Sequence, residues 1–332
     1  MSCGRSPSGR VASRKLSRAD VFRVSFALVA FGAILWWVGP REVVAAFANV
    51  LWFWVIIRIV PYVASLWIQA RRWKMFLGLE GITTETSRLF RRIWMSRFFA
   101  NTLPGSIGGD IFRVVESGDF SNSKMAVARS VLLDRVVALV GLGLYTSTAC
   151  LAWAWLRTWP SLGWVAAVGL VGSALAALLL ASDWPSRMAL WSAEKLRAGR
   201  VRTFVSRLTD SLSDLAGQRS LLVGAVLITM LFNVTWAISS YCGFLALHLT
   251  ISPLLVVTLI PVVYAVTALP TSINGMGVSD GVFVLVFAAV GLQPAEAAAV
   301  AILLRVTGLL MSSLGGLLYL LERRRLTGAT AP

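Results

Sequence analysis

One short phrase occurs twice in this chain, and each time it breaks an otherwise hydrophobic region. Residues 103–109 read LPGSIGG and residues 269–275 read LPTSING. Proline and clustered glycines interrupt a helix there and free its backbone groups. In a bilayer, unpaired backbone is tolerated only where protein or a water-filled cavity surrounds it. Each phrase is followed, about thirty residues on, by a second matched one: 132–139 (LLDRVVAL) and 303–310 (LLRVTGLL). Aligned on Arg135 and Arg305, these place a lone cation on a hydrophobic helix in each half of the chain. Paired interruptions at corresponding positions are the sequence sign of a binding site inside a membrane protein.

Composition sets the environment. The chain is 57% hydrophobic and 14% charged, where a water-soluble domain carries about a quarter charged residues. Long apolar runs recur along its 332 residues, which reads as an all-α polytopic membrane protein. A formal charge of +16 would suggest nucleic acid in a soluble domain. Here it follows topology, and no nucleic-acid partner is expected. Cys3, Cys150 and Cys242 are far apart and His248 is the single histidine, so no disulfide framework or histidine metal site is expected. No cofactor and no metal is expected.

The hydrophobic pattern predicts about six spanning helices, at 21–38, 43–69, 125–156, 162–182, 220–247 and 297–321, within one domain over 21–322. A basic tail (1–20) precedes them and another (323–332) follows. The apolar run 24–38 and the AFA at 46–48 resemble a signal peptide, but Arg41 and Glu42 intervene and Trp36-Trp37 ends the run, so it reads as an uncleaved span. Residues 86–99 alternate arginines with large apolar side chains, as a basic helix on the inner leaflet would. Residues 183–219 read as a cytoplasmic amphipathic insertion. The limbs around each LPxS phrase are too short to cross and predict two re-entrant hairpins, at about 98–115 and 252–290. Twenty-three of the 31 lysines and arginines fall on one proposed side, which places both termini in the cytoplasm of a cell inner membrane. The hairpins then enter from opposite faces, as an inverted repeat.

The hairpins carry the candidate chemistry. Pro104 and Pro270 end a helix, and Gly105, Ser106, Gly108, Gly109, Ser272, Gly275 and Gly277 leave uncovered the amides that start another. Such a helix start favours an anion, above all a phosphate. The alternative is that the glycines only permit close helix packing; the duplication favours binding. Arg135 and Arg305 are intramembrane cations, either functional or locked to a carboxylate, with Asp110 and Asp134 as available partners. Arg113 either pairs with Asp110 one turn away or meets a headgroup. Asp280 either meets Arg135 or Arg305, caps its helix or carries a proton. Arg58 reads as a snorkelling or paired arginine, and Arg71-Arg72-Trp73-Lys74 as a helix end at the cytoplasmic interface. Asn101 and Asn274 read as polar cavity liners.

Residues 101–110 (NTLPGSIGGD) with Arg113, the Asp134-Arg135 helix, and residues 269–281 (LPTSINGMGVSDG) resemble the flippase-like family of integral membrane proteins. This is the family of the transmembrane domain of lysylphosphatidylglycerol synthase. The resemblance covers about residues 20–322. Where that family usually has glutamates, this chain has Asp134 and Asp280, keeping the charge on a shorter arm. The resemblance implies movement of an anionic phospholipid or polyprenyl-linked (glyco)lipid headgroup between leaflets, without enzymatic activity. It further implies an envelope-lipid synthase or glycosyltransferase as a protein partner. The alternative is a non-transporting accessory subunit of an envelope-lipid, hopanoid or glycolipid system. With about ten residues after the last span, the soluble aminoacyl-transfer domain of the synthases is expected to be absent.

Overall fold

The computed structural model describes residues 47–102, 108–117, 120–155, 217–267 and 277–328, with the single positions 41, 45 and 171. Among these residues the regular structure is helical throughout. In chain order the helices are α1 (Trp52–Ile57), α2 (Ile59–Leu79), α3 (Thr86–Thr102), α4 (Gly108–Val115), α5 (Lys124–Trp155), α6 (Arg219–Ala246), α7 (Pro253–Thr267), α8 (Val278–Ala289) and α9 (Pro294–Gly328). Apart from position 171, the expected spans at 21–38 and 162–182 lie outside the described residues, as do the 1–20 tail, residues 329–332 and the 183–219 insertion up to 216; residues 323–328 of the expected C-terminal tail continue α9.

Among the described residues, three stretches are long and apolar enough to cross a membrane: Trp52–Leu79, Arg219–Ala246 and Pro294–Arg323. Helix α5 has 32 residues, about 48 Å at 1.5 Å per residue. Local chemistry sets the starts. Ser123 Oγ accepts the Ala126 N–H (3.2 Å) ahead of α5, an N-cap that satisfies one orphan donor. Pro253 and Pro294 stand first in α7 and α9, where no N–H is needed. Glu296 then accepts the Gln293 N–H (3.2 Å).

Helix α6 displays the solvent it was built for. Val223, Leu227, Leu231 and Ile238 are exposed, whereas Ala225, Thr229, Asn233, Ala237 and Ser240 are buried. Large apolar side chains outside and small or polar ones inside reverse the pattern of a soluble helix and suit lipid contact. The inner face packs on α2, α5 and α7. One buried cluster joins Phe244 of α6 to Phe283 and Phe287 of α8 and to Val300 of α9. Another joins Leu66, Trp73 and Leu77 of α2 to Leu89 and Ile93 of α3 and Val127 and Val131 of α5.

Two expectations are corrected. The second span does not end near residue 69: α2 runs to Leu79, and Arg72 and Trp73 are buried within it. Nor does the arginine-rich segment 86–99 lie free on a membrane surface. It forms α3, which packs antiparallel along α9: Arg91 and Arg92 pair with Glu322 (3.4 and 3.7 Å), Trp94 Nε1 donates to the Met311 carbonyl (2.7 Å), and Asn101 Nδ2 donates to Ser312 Oγ (2.9 Å). Over those ten residues α3 follows a membrane-spanning helix.

Candidate functional site

One aspartate–arginine pair ties α4 to α5, and another ties α8 to α9. After the first break α4 opens with Gly108, Gly109 and Asp110, and Asp110 meets Arg135 of α5 (Oδ2–Nη1 2.9 Å). After the second, α8 opens with Val278, Ser279 and Asp280. Arg305 of α9 donates from Nε (2.9 Å) and Nη2 (2.8 Å) to Asp280 Oδ1, and from Nη2 to Ser279 Oγ (2.6 Å). Each aspartate is the third residue of its helix, and each arginine follows its aspartate by 25 residues. From the LP of each phrase, however, the second aspartate is four residues later than the first, about one helical turn.

Local rules place both carboxylates. A negative group in the first turn of a helix faces the positive end of its dipole. Asp280 Oδ2 also accepts the N–H of Gly277 (3.1 Å). Gly277 has φ of +79°, a conformation that glycine adopts without strain. Asp280 therefore does two of the things its sequence allowed: it pairs with Arg305 and it caps its helix. At the first break, a Cβ on Gly109 would lie 2.7 Å from the Ser96 carbonyl oxygen. A glycine there lets α4 lie directly on α3.

The first half carries a further network. Asp134 accepts from Arg72 Nε (2.7 Å) on one oxygen and from both Nη atoms of Arg113 (3.2 Å each) on the other. Arg72 also donates to Thr229 Oγ1 of α6 (2.9 Å). Arg113 reaches back to Asp110 (3.5 Å), and its guanidinium carbon stands 4.0 Å from the ring centre of Trp73. Trp73 Nε1 donates to Ser130 Oγ (3.1 Å). Arg72, Arg113 and Asp134 are all buried, so each charge needs its partner. The positions that correspond when Asp110 and Arg135 are aligned on Asp280 and Arg305 hold Phe283 for Arg113 and Leu304 for Asp134. The network belongs to one half only.

The structure thus joins Asp110, Arg113, Asp134 and Arg135 into one chain of charges and Gly277, Asp280 and Arg305 into another. Asn101 donates to Ser312 Oγ of α9. Pro104, Gly105, Ser106, Pro270, Ser272, Asn274 and Gly275 lie outside the described residues. The sequence reading missed Arg72, hidden in a run of basic residues. Its signal was helical period, since 72 shares a face with the buried Ser65 and Phe76. It also missed the buried pairing of Glu80 with Arg129, whose Nε donates to the carboxylate at 3.0 and 3.1 Å. Arg58, at the break between α1 and α2, is buried and donates to the Leu303 carbonyl (3.4 Å). A groove of about 580 Å³ near Leu51, Trp54, Tyr241 and His248 touches none of the sequence-derived residues. Among the described residues no group of three or more His, Cys, Asp or Glu converges to hold a metal ion.

Residues 23–316 match the family described as the lysylphosphatidylglycerol synthase TM region. This chain belongs to that family. The match takes in both hairpins and every ion pair between Arg72 and Arg305. A UPF0104 membrane protein of Pyrococcus horikoshii is 24% identical over 324 residues, covering 90% of this chain and 95% of that protein. A UPF0104 membrane protein of Methanothermobacter thermautotrophicus is 22% identical over 320 residues, covering 88% and 92%. No solved structure matches the chain. Family membership together with the apolar helices makes it an integral, multi-pass membrane protein.

Proposed function

We propose that this protein moves an anionic lipid headgroup, of a phospholipid or a polyprenyl-linked (glyco)lipid, between the leaflets of a cell inner membrane. The carrying observation is the unequal state of its two matched ion pairs. The Arg135 and Asp110 side chains are 41% and 25% exposed, against 20% and 8% for Arg305 and Asp280. Sequence-equivalent sites in unequal states are what alternating access between two related halves requires at any instant.

The packing supports the same reading. Helix α3 packs on α9 and helix α7 packs on α5, so exchanging the halves exchanges these two contacts, while α2 and α6 pack on each other. Phe76 at the end of α2 clusters with Ala225 near the start of α6, and the Leu51 N–H donates to the Ala246 carbonyl at the other end (2.9 Å). On this reading the hairpins enter from opposite faces and both termini are cytoplasmic. The headgroup exchanges places with the carboxylate at the open arginine while the lipid tails stay in the bilayer.

The test is translocation in proteoliposomes carrying labelled anionic phospholipid or a polyprenyl phosphate. Wild type should move the lipid, and folded Arg135→Ala and Arg305→Ala variants should each lose at least tenfold in rate. Full transport by both variants, or none by wild type with either lipid class, sinks the proposal and leaves the accessory-subunit reading.

A further inference from the structure

The proposed gating arginines are not the cations best placed to hold an anion. Arg135 and Arg305 each hold a carboxylate, as do the buried Arg72, Arg113 and Arg129. Two arginines inside the bundle are different. Arg97 of α3 is half-buried and donates from Nη2 to the neutral Gln69 Oε1 (2.8 Å). Arg58 is only 6% exposed, makes one long bond to a neutral carbonyl (3.4 Å), and its Nε has no hydrogen-bond partner. Among the described residues no carboxylate lies within salt-bridge range of either.

These two arginines face one seam. Arg58, Tyr62 and Gln69 fall at i, i+4 and i+11 on α2, along one side of the helix. Tyr62 packs at a tilt against Trp236 of α6 (5.4 Å between ring centres), which meets Tyr264 of α7 edge-on at 5.7 Å. The Arg97 guanidinium stands 5.8 Å from the Trp236 ring centre. The aromatic wall therefore lies between a cation at either end. From Arg58 to Gln69 the helix rises about 16 Å, about half the hydrocarbon thickness of a bilayer. Both halves of the chain contribute to this wall.

We infer that Arg97 and Arg58, across the wall of Tyr62, Trp236 and Tyr264, form a binding site for a phosphate anion. A guanidinium fork matches phosphate oxygens, and an unneutralised arginine in a membrane interior is costly. An anion entering the seam displaces no carboxylate at either arginine. The ring faces, negative in their quadrupole, leave the guanidiniums and the ring edges to meet the anion. A lipid headgroup and free phosphate share this chemistry. The assignment of the phosphate to a lipid rests on the transport reading; the site itself does not.

Calorimetric titration of the full-length protein in uncharged detergent tests this. The probes are dihexanoyl phosphatidic acid, dihexanoylglycerol with the same tails and no phosphate, and inorganic phosphate. Wild type should bind the phosphatidic acid and not the glyceride. Arg97→Gln should weaken binding at least tenfold, and Arg91→Gln, at the exposed start of α3, less than twofold. Arg58→Gln should match Arg97→Gln. If it does not fold, Arg58→Lys, which keeps the charge and loses the fork, should still weaken binding several-fold. Wild-type affinity in Arg97→Gln, or equal binding of the glyceride, overturns the site. Inorganic phosphate binding as tightly as the lipid, with the same loss in Arg97→Gln, upholds the site and removes the lipid. Because binding is read without transport, a protein that binds but does not translocate fails the transport reading alone.

Discussion

Asp134 pairs with two guanidiniums in a buried place, and Asp110 pairs closely with Arg135 and more distantly with Arg113 in a half-open place. The two carboxylates differ in sequence context by little, but physics separates them. Removing the partner of a buried charge costs about 3–5 kcal/mol, whereas an exposed pair is worth about 1 kcal/mol or less. Asp134→Ala should therefore lower the apparent unfolding midpoint in detergent by on the order of 10 °C, and Asp110→Ala by a few degrees at most. Equal shifts in scanning fluorimetry would mean that the Asp134 network contributes no more than a surface pair. The sequence made Asp110, Asp134, Asp280, Arg135 and Arg305 visible, because charges in apolar runs stand out. It left their pairing open, and Asp110 with Arg135 and Asp280 with Arg305 are among the pairs it allowed. Asp134 adjoins Arg135 in the chain yet turns to Arg72 and Arg113, since neighbours on a helix point about 100° apart. Arg97 was invisible for the opposite reason: among Arg88, Arg91 and Arg92 nothing local marks the one that faces the seam.

At the scale of elements, length and apolarity made α5 and α6 legible to within a residue and located α9, whose ends lie three and seven residues beyond the expected 297–321, while α3 was misread. Its arginines recur every three or four positions among aromatics, the pattern of a surface helix. What the pattern could not carry is that Glu322 of α9 receives Arg91 and Arg92, leaving Leu89, Ile93 and Met95 to pack inward. The hairpin depends on the approach of α4 to this helix. A Cβ on Gly109 would meet backbone, the Ser96 carbonyl oxygen at 2.7 Å, with the Ala100 Cβ at 3.1 Å. Backbone cannot rotate away as a side chain can. Gly109→Val should force α4 off α3 and cost about 1–3 kcal/mol. It should also raise protease cleavage within 103–117 in the folded protein. Unchanged stability and unchanged cleavage would show that the approach is not tight in the membrane.

For the whole molecule, the question is whether the two halves move against each other or are fixed. The two matched aspartate–arginine pairs cannot answer it, since each lies within one half. The contacts that cross between halves can: α3 on α9, α7 on α5, and α2 on α6. In the rocking reading, α2 and α6 form the axis, and the α3–α9 and α7–α5 contacts loosen in turn. Asn101 and Ser312 are hydrogen-bonded across the first of these (2.9 Å), beside the break that follows α3. Tyr145 donates to the Val257 carbonyl across the second (3.1 Å). A short bis-thiosulfonate linker joining cysteines at 101 and 312, in a chain with Cys3, Cys150 and Cys242 replaced by serine or alanine, holds α3 against α9. Lipid translocation should then fall at least tenfold and return on reduction, while the unlinked double variant transports near the parent rate. The linkage should leave phosphate binding at Arg97 within twofold, because it holds α3 where Arg97 already reaches Gln69 of α2. Translocation that persists at full rate in the linked protein would show that α3 and α9 move as one body, and that the halves as drawn are not the moving parts.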